Sequence, residues 1–343
     1  MSPQVRSVRL GPVSFRARPR TWLVAALVWG VALLGAVAVL FSGSVNMTPE
    51  QFWAALAGVG ERADMLLLWE FRMPRAVTGL VVGACLGTAG CLFQALSRNA
   101  LGSPEIIGLT GGAALGAVAS VIVFRSFGWG TAVGAIIGCL GAALLTWVLS
   151  PRGFGGGNRL ILIGLGVASL IQPVTVLLLT RADSDSATSA RLWLTGTLNA
   201  RNWSHAAVGA VLFAVILPFA LLISRHLDAA APGEDFAAGL GVSRRFTQWT
   251  ATGVGVALTA AAVAVAGPIS FIALAGPHVA RRLLKGPTAP AGVAAGTGAA
   301  LLVAADLVGA NLPGGLQLPV GVTAGLLGGA YLLLLLNGQE RKK

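Results

Sequence analysis

The chain has 343 residues, 55% of them hydrophobic and only 10% charged, with a mean hydropathy of +0.80; a soluble domain carries about 25% charged residues. That balance excludes a water-soluble globule and makes lipid the solvent for most of the surface. The apolar runs extend for about 20 residues instead of alternating over about 10, so they predict an all-α bundle of spanning helices and exclude a membrane barrel.

In chain order, residues 1–21 form a basic tail with Arg6, Arg9, Arg16, Arg18 and Arg20. The first apolar run, 22–41, is long enough to span and lacks a small-residue cleavage site, so it reads as a retained span and not a signal peptide. Further runs at 76–97, 106–124, 131–149, 160–180, 205–224, 246–266, 268–284, 289–308 and 318–336 bring the expectation to ten spans in one domain over 22–336. A cytoplasmic loop is expected over 225–245 and a second basic tail over 337–343. The run at 268–284 is short and carries Gly276-Pro277 near its end, and Pro173 and Pro218 predict kinks because proline removes an N–H and crowds the preceding turn.

Ten spans place both ends of the chain on one side. Lys and Arg divide seventeen on that side against seven on the other, so the termini are expected to be cytoplasmic in a multi-pass protein of the cell membrane. The net charge of +12 then resides on one face, where membrane lipids with anionic head groups, and not nucleic acid, are the natural partner. The 47 glycines read as packing surface between helices. Cys85, Cys91 and Cys139 lie inside predicted spans without metal-ligand spacing, so neither a disulfide, a metal site nor a cofactor is expected. The Gly-rich stretch at 150–158 is no phosphate loop, because none of the three lysines, Lys285, Lys342 and Lys343, follows a glycine ahead of Ser or Thr as that motif requires. The chain therefore reads as a non-catalytic subunit whose energy source lies elsewhere.

Four stretches in the first half carry specific patterns: Arg72-Met-Pro-Arg75, the run Gly83 to Gly90, Phe93 to Leu101 (FQALSRNAL) and Gly108 to Gly116. In the second half stand Gly233 to Val242 (GEDFAAGLGV), Gly267 to His278 (GPISFIALAGPH), Ala305-Asp306 and Leu318 to Gly321 (LPVG). In this order and spacing the chain resembles the iron-siderophore, haem and vitamin B12 permease family of ABC importers. The resemblance implies a type II importer bundle of about ten helices. It also implies a second permease subunit, identical or paralogous, an ABC ATPase dimer on the cytoplasmic side and an extracytoplasmic substrate-binding protein.

It further implies residue roles, each beside a plainer reading. Arg72 and Arg75, three apart around Pro74, point toward one exterior patch; they are either interfacial anchors or the dock for acidic side chains of the binding protein. Gly233, Glu234, Asp235, Phe236, Ala237, Leu240 and Gly241 combine early negative charge with an apolar stripe, and the family implies ATPase coupling. Asn99 and Leu101 with Gly157 and Asn158 match the cytoplasmic gate, with Ala100 where the family has proline. Gln172 suits either interhelical hydrogen bonding or pathway lining. Asp306 falls near the outer interface, where a structural role is expected. The family's third docking arginine is replaced by Ala310, and an acidic residue by Gln317.

The leading expectation is thus an importer permease for an iron-siderophore or related metal chelate, with haem or cobalamin as alternative cargo. An ion-coupled transporter is the competing class. It needs buried ionisable groups, and by position none of the twelve acids falls near a span centre. His205, His226 and His278 are too scattered for a metal site.

Overall fold

The computed structural model describes residues 6–10, 13–17, 19–43, 47–150, 158–230, 239, 241–313 and 316–340. A short antiparallel hairpin, β1 (Arg6–Leu10) and β2 (Val13–Ala17), precedes an all-helical bundle. The bundle comprises α1 (Pro19–Phe41), α2 (Pro49–Leu56), α3 (Arg62–Leu66), α4 (Met73–Ser97), α5 (Leu109–Ile122), α6 (Trp129–Leu149) and α7 (Asn158–Arg181). It continues with α8 (Ser184–Leu194), α9 (Trp203–Ala230), α10 (Arg244–Ala266), α11 (Ile272–Leu284), α12 (Ala291–Ala310) and α13 (Val320–Glu340).

Each of the ten apolar runs is occupied by one of α1, α4 to α7 and α9 to α13. Among the described residues, seven helical stretches are long and apolar enough to cross a membrane, while α5 and the apolar stretch Val320–Leu334 are shorter. The 13 residues of α11 rise only about 20 Å against a hydrocarbon core of about 30 Å. α7 and α9 continue through Pro173 and Pro218. The small helices α2, α3 and α8 were not legible as apolar runs; α2 is nevertheless well specified, since Thr48 and Gln51 form a reciprocal capping box.

Between α3 and α4 the chain runs without a break through a π-helical segment, Leu67–Arg72. Pro74 explains the irregularity. It has no N–H to donate to the preceding turn, and the Met73 N–H reaches back five residues to Leu68 O. This segment therefore delivers Arg72 and Arg75 from a bulge, a geometry that often re-aims side chains.

α4 is the axis of the bundle, packed against α1, α9, α10, α11 and α12. The glycine-rich motifs are where neighbours come closest. A Cβ on Gly83 of α4 would stand 2.6 Å from Gly298 O of α12, and one on Gly134 of α6 would stand 2.6 Å from Gly116 O of α5. Hydrogen at these positions lets backbones touch, which is how membrane helices gain van der Waals contact without a hydrophobic driving force. Over their apolar windows α4, α10 and α12 are 83%, 72% and 67% buried, against 22% for both α7 and α9, so the former are the core and the latter face outward.

The contacts fix the two ends of the bundle. Arg20 at the start of α1 donates to Leu283 O at the end of α11, and Trp29 reaches Gly292 O early in α12. α13 packs by Gly309 near its start and its Tyr331 meets His278 farther along. Both ends of the helical bundle therefore lie at one end, the terminal end; Ser42, bonded to Asn311, marks the far end.

Candidate functional sites at the two ends of the bundle

At the far end, the bulge and the α12 terminus bring together charges 231 residues apart. Arg75 Nε and Nη2 donate to Asp306 Oδ2 and Oδ1 at 2.9 and 2.8 Å, a bidentate pair in which the arginine and aspartate side chains are 18% and 4% exposed. Arg72 is buried, and its guanidinium donates to Leu40 O at the end of α1. The expectation that both arginines point into a common patch of exterior is corrected on this point. Arg75 turns into the bundle because a partly buried guanidinium needs a carboxylate, and Arg72 because the π segment rotates it toward α1. Asp306 does take the structural role expected of it.

A second cluster lies beside the first. The loop between α8 and α9 carries Arg201, half-buried, whose Nε donates to Thr197 O at 3.2 Å and whose Nη1 lies 3.5 Å from His205 Nε2. His205 Nδ1 is 2.7 Å from Asn202 Oδ1, and its ring stacks on Trp129 at 4.9 Å. Trp203 Nε1 donates to Trp69 O at 2.7 Å and so ties this loop to the bulge three residues before Arg72. Burial pulls the Arg201 guanidinium below its ordinary value.

At the terminal end, α4 stops at Arg98 in the left-handed region, and the following turn holds Asn99 and Leu101. Asn99 Oδ1 accepts the Leu101 N–H at 2.8 Å, and Leu101 itself is 51% exposed. Gly157 lies outside the described residues, as does the side chain of Asn158 at the start of α7, so the second half of the expected gate is not described. Gly233, Glu234, Asp235, Phe236, Ala237 and Leu240 likewise lie outside the described residues. Gly241 is described, with φ +76, two residues before the Ser243 cap of α10. Gln172 is exposed on the outward face of α7, and no bond from it to another helix is seen among the described residues.

The sequence reading missed what the turn after the gate does. Ile107 O accepts from Thr146 of α6 at 3.2 Å, and Glu105 Oε1 accepts the Phe271 N–H at 2.8 Å, just ahead of α11. Phe271 stands in the left-handed region with φ +68, and its own side chain makes no cap, so Glu105 supplies from a distance the negative end that a helix N-terminus favours. Burial pushes the Glu105 carboxyl up to about 7, against the opposing pull of the Phe271 bond. Nothing in the Ser103-Pro104-Glu105 sequence marks an acceptor for a backbone 166 residues away. Nearby, Gln94 donates to Leu274 O at 3.1 Å and accepts from Arg281 Nη1 at 2.7 Å, locking α11 to α4.

Among the described residues no group of three metal-ligating side chains is found. The arrangement is a packed bundle with polar fittings at its two ends.

The chain is 40% identical over 322 residues to the ferric enterobactin transport system permease protein FepG of Escherichia coli (strain K12), covering 93% of this chain and 94% of the relative. It is 34% identical to the probable siderophore transport system permease protein YfhA of Bacillus subtilis (strain 168), covering 93% and 96%. The iron(3+)-hydroxamate import system permease protein FhuG of the same organism is 32% identical, covering 90% and 96%. A solved structure of a transporter assigned to the metal-chelate type of ABC transporter, in an inward-facing conformation, superposes with a TM-score of 0.80 at 25% identity, covering 92% of this chain and 99% of that one. The profile of the FecCD transport family matches residues 31–337, and the chain belongs to that family.

Proposed function

We propose that the chain is the membrane-spanning permease subunit of an ABC importer that moves an iron-siderophore or related metal chelate across the cytoplasmic membrane. The observation that carries this reading is the family match over 31–337, on a bundle whose core helices pack as in a metal-chelate transporter. A separate ATPase pair supplies the energy, an extracytoplasmic binding protein delivers the cargo, and a second permease, identical or paralogous, completes the pathway.

On this reading the terminal end is cytoplasmic, in keeping with its excess of Lys and Arg. Residues 233–241 couple to the ATPase, and Asn99, Leu101, Gly157 and Asn158 close the cytoplasmic exit, with Gln172 on the pathway. Arg72 and Arg75 belong to the outer dock, the first held on Leu40 O and the second paired with Asp306. A reporter after Lys343 then reads as cytoplasmic. A cysteine at Ser184, which is exposed where the neighbouring Ser186 is buried, is labelled from outside. The reverse labelling overturns the orientation.

The test of the coupling role is Leu240→Asp. It places a charge on an apolar docking stripe, so the expected outcome is a permease that still inserts but no longer co-purifies with its ATPase. Normal co-purification and uptake by the variant contradict the assignment.

A further inference from the structure

At the far end, the Arg201 cluster holds a cation with no carboxylate beside it among the described residues. Among the described residues Arg75 is paired with Asp306, whereas Arg201 has a backbone carbonyl at Nε, a histidine at Nη1 and no carboxylate at all. Asn202 Oδ1 accepts the His205 backbone N–H at 3.3 Å and lies 2.7 Å from Nδ1, so the tautomer that fits this contact carries its proton on Nδ1 and turns Nε2 to the guanidinium as an acceptor. The histidine is therefore a neutral brace, held in place by its stack on Trp129. It fixes the guanidinium and leaves Nη2 without a protein partner among the described residues. A guanidinium taken partly out of water without an anion is costly, and the cost is offset when an anion arrives from elsewhere.

The surroundings specify the kind of anion. Trp69, Trp129 and Trp203 surround the cluster at 41%, 43% and 39% exposure, and the bond from Trp203 to Trp69 O makes this rim continuous with the segment that carries Arg72. A fixed arginine within a rim of half-exposed tryptophans has the composition of a protein-binding centre, in which aromatics exclude water around a charge-assisted fork. Resting on the importer reading given above, we propose that Arg201, braced by His205, is a docking residue of the outer face that receives a carboxylate side chain of the extracytoplasmic binding protein.

The test uses the permease with its ATPase in lipid nanodiscs and the binding protein that co-purifies with the wild-type complex. Arg201→Gln is expected to weaken binding about tenfold or more and to flatten the salt dependence of the association rate. Arg201→Lys, which keeps the charge and loses the fork, is expected to recover only part of it. Arg191→Gln, at an exposed arginine of α8, serves as the control and is expected to bind as wild type.

Wild-type affinity and salt dependence in Arg201→Gln overturn the proposal. If that variant fails to assemble, a photo-crosslinker at the exposed Ser204 decides the matter: an adduct with the binding protein supports the docking role, and its absence overturns it. Loss of ferric enterobactin binding by the permease alone, with protein docking intact, reassigns Arg201 to cargo and likewise overturns it. If no binding protein associates with the wild-type complex, the importer reading itself fails, a result distinct from all of these.

Discussion

Arg75 and Arg201 stand at the same end of the bundle, both largely covered, and differ in what neutralises them. Arg75 meets Asp306 in a two-bond fork across α4 and α12, whereas among the described residues Arg201 is held by Thr197 O and His205. The first is a tie between two core helices. The second is a cation fixed in place with one edge uncommitted. Counting charges per side, which balances the far end to zero on the sequence, therefore hides an asymmetry: the acids do not sit where the bases need them. What a surface can receive depends on which of its charges are already paired within the chain.

The largest test of this contrast turns Arg75 into a second unpaired cation. Asp306→Ala is expected to lower stability by about 3 kcal/mol, since removing one partner of a buried pair leaves the other desolvated. The double substitution Arg75→Met with Asp306→Leu is expected to recover most of that loss, because the cost lies in the orphaned charge and not in the missing bond. Thermal unfolding of the purified permeases checks both. Equal stability of Asp306→Ala and wild type would show that the pair ties nothing.

A smaller effect is expected from Gly83→Ala, which attacks the same tie through the helices that carry it. The added methyl would stand 2.6 Å from Gly298 O, a backbone atom that cannot rotate away, so α4 and α12 must part. The expected cost is about 2 kcal/mol. Gly253, where an added Cβ meets nothing within 4 Å, provides the matched substitution without that penalty.

Glu105 extends the comparison to the terminal end, where a half-buried carboxyl is answered by a backbone N–H in place of an arginine. Its pKa is raised from an ordinary 4.5 to about 7, so the folded state holds the proton more tightly than the unfolded chain. The associated stability is present below the ordinary value and is lost as pH rises through that window to about 7. Glu105→Gln is expected to flatten this slope in melting temperature between pH 5 and pH 8, taken as roughly spanning that window. Glu105→Ala, which removes the cap, is expected to cost about 1 kcal/mol. An unchanged slope in Glu105→Gln would place the titration elsewhere. The smallest effect is predicted for Arg191→Gln, within about 0.5 kcal/mol of wild type, because an exposed, solvated cation contributes little.

The ten apolar elements were legible because a lipid solvent demands apolar runs, about 20 residues for a full crossing, and that demand is local. The Gly83–Gly90 and Gly108–Gly116 motifs were legible as packing for the same reason, since close approach requires a small residue whatever the partner. Position along the run also put Asp306 near the interface. Its partner was not legible, because the pairing depends on a π bulge set by Pro74 and on α12 lying against α4. Glu105 was not singled out by the sequence, because its carboxyl caps a helix 166 residues away, which no local pattern encodes. Arg201 and His205 are four apart in sequence; only the Trp129 stack and the lack of an acid beside them among the described residues give them meaning.

Whether the bundle is driven by a separate ATPase, as proposed, or by an ion gradient is decided in proteoliposomes of permease and ATPase that hold ATP inside and receive labelled ferric chelate with the binding protein from outside. Expected is uptake that requires ATP, stops with a hydrolysis-deficient ATPase and persists when ionophores collapse every ion gradient. Uptake that continues without hydrolysis and ceases with the ionophores would contradict it, and would make Glu105 the first residue to examine as an ion-binding group.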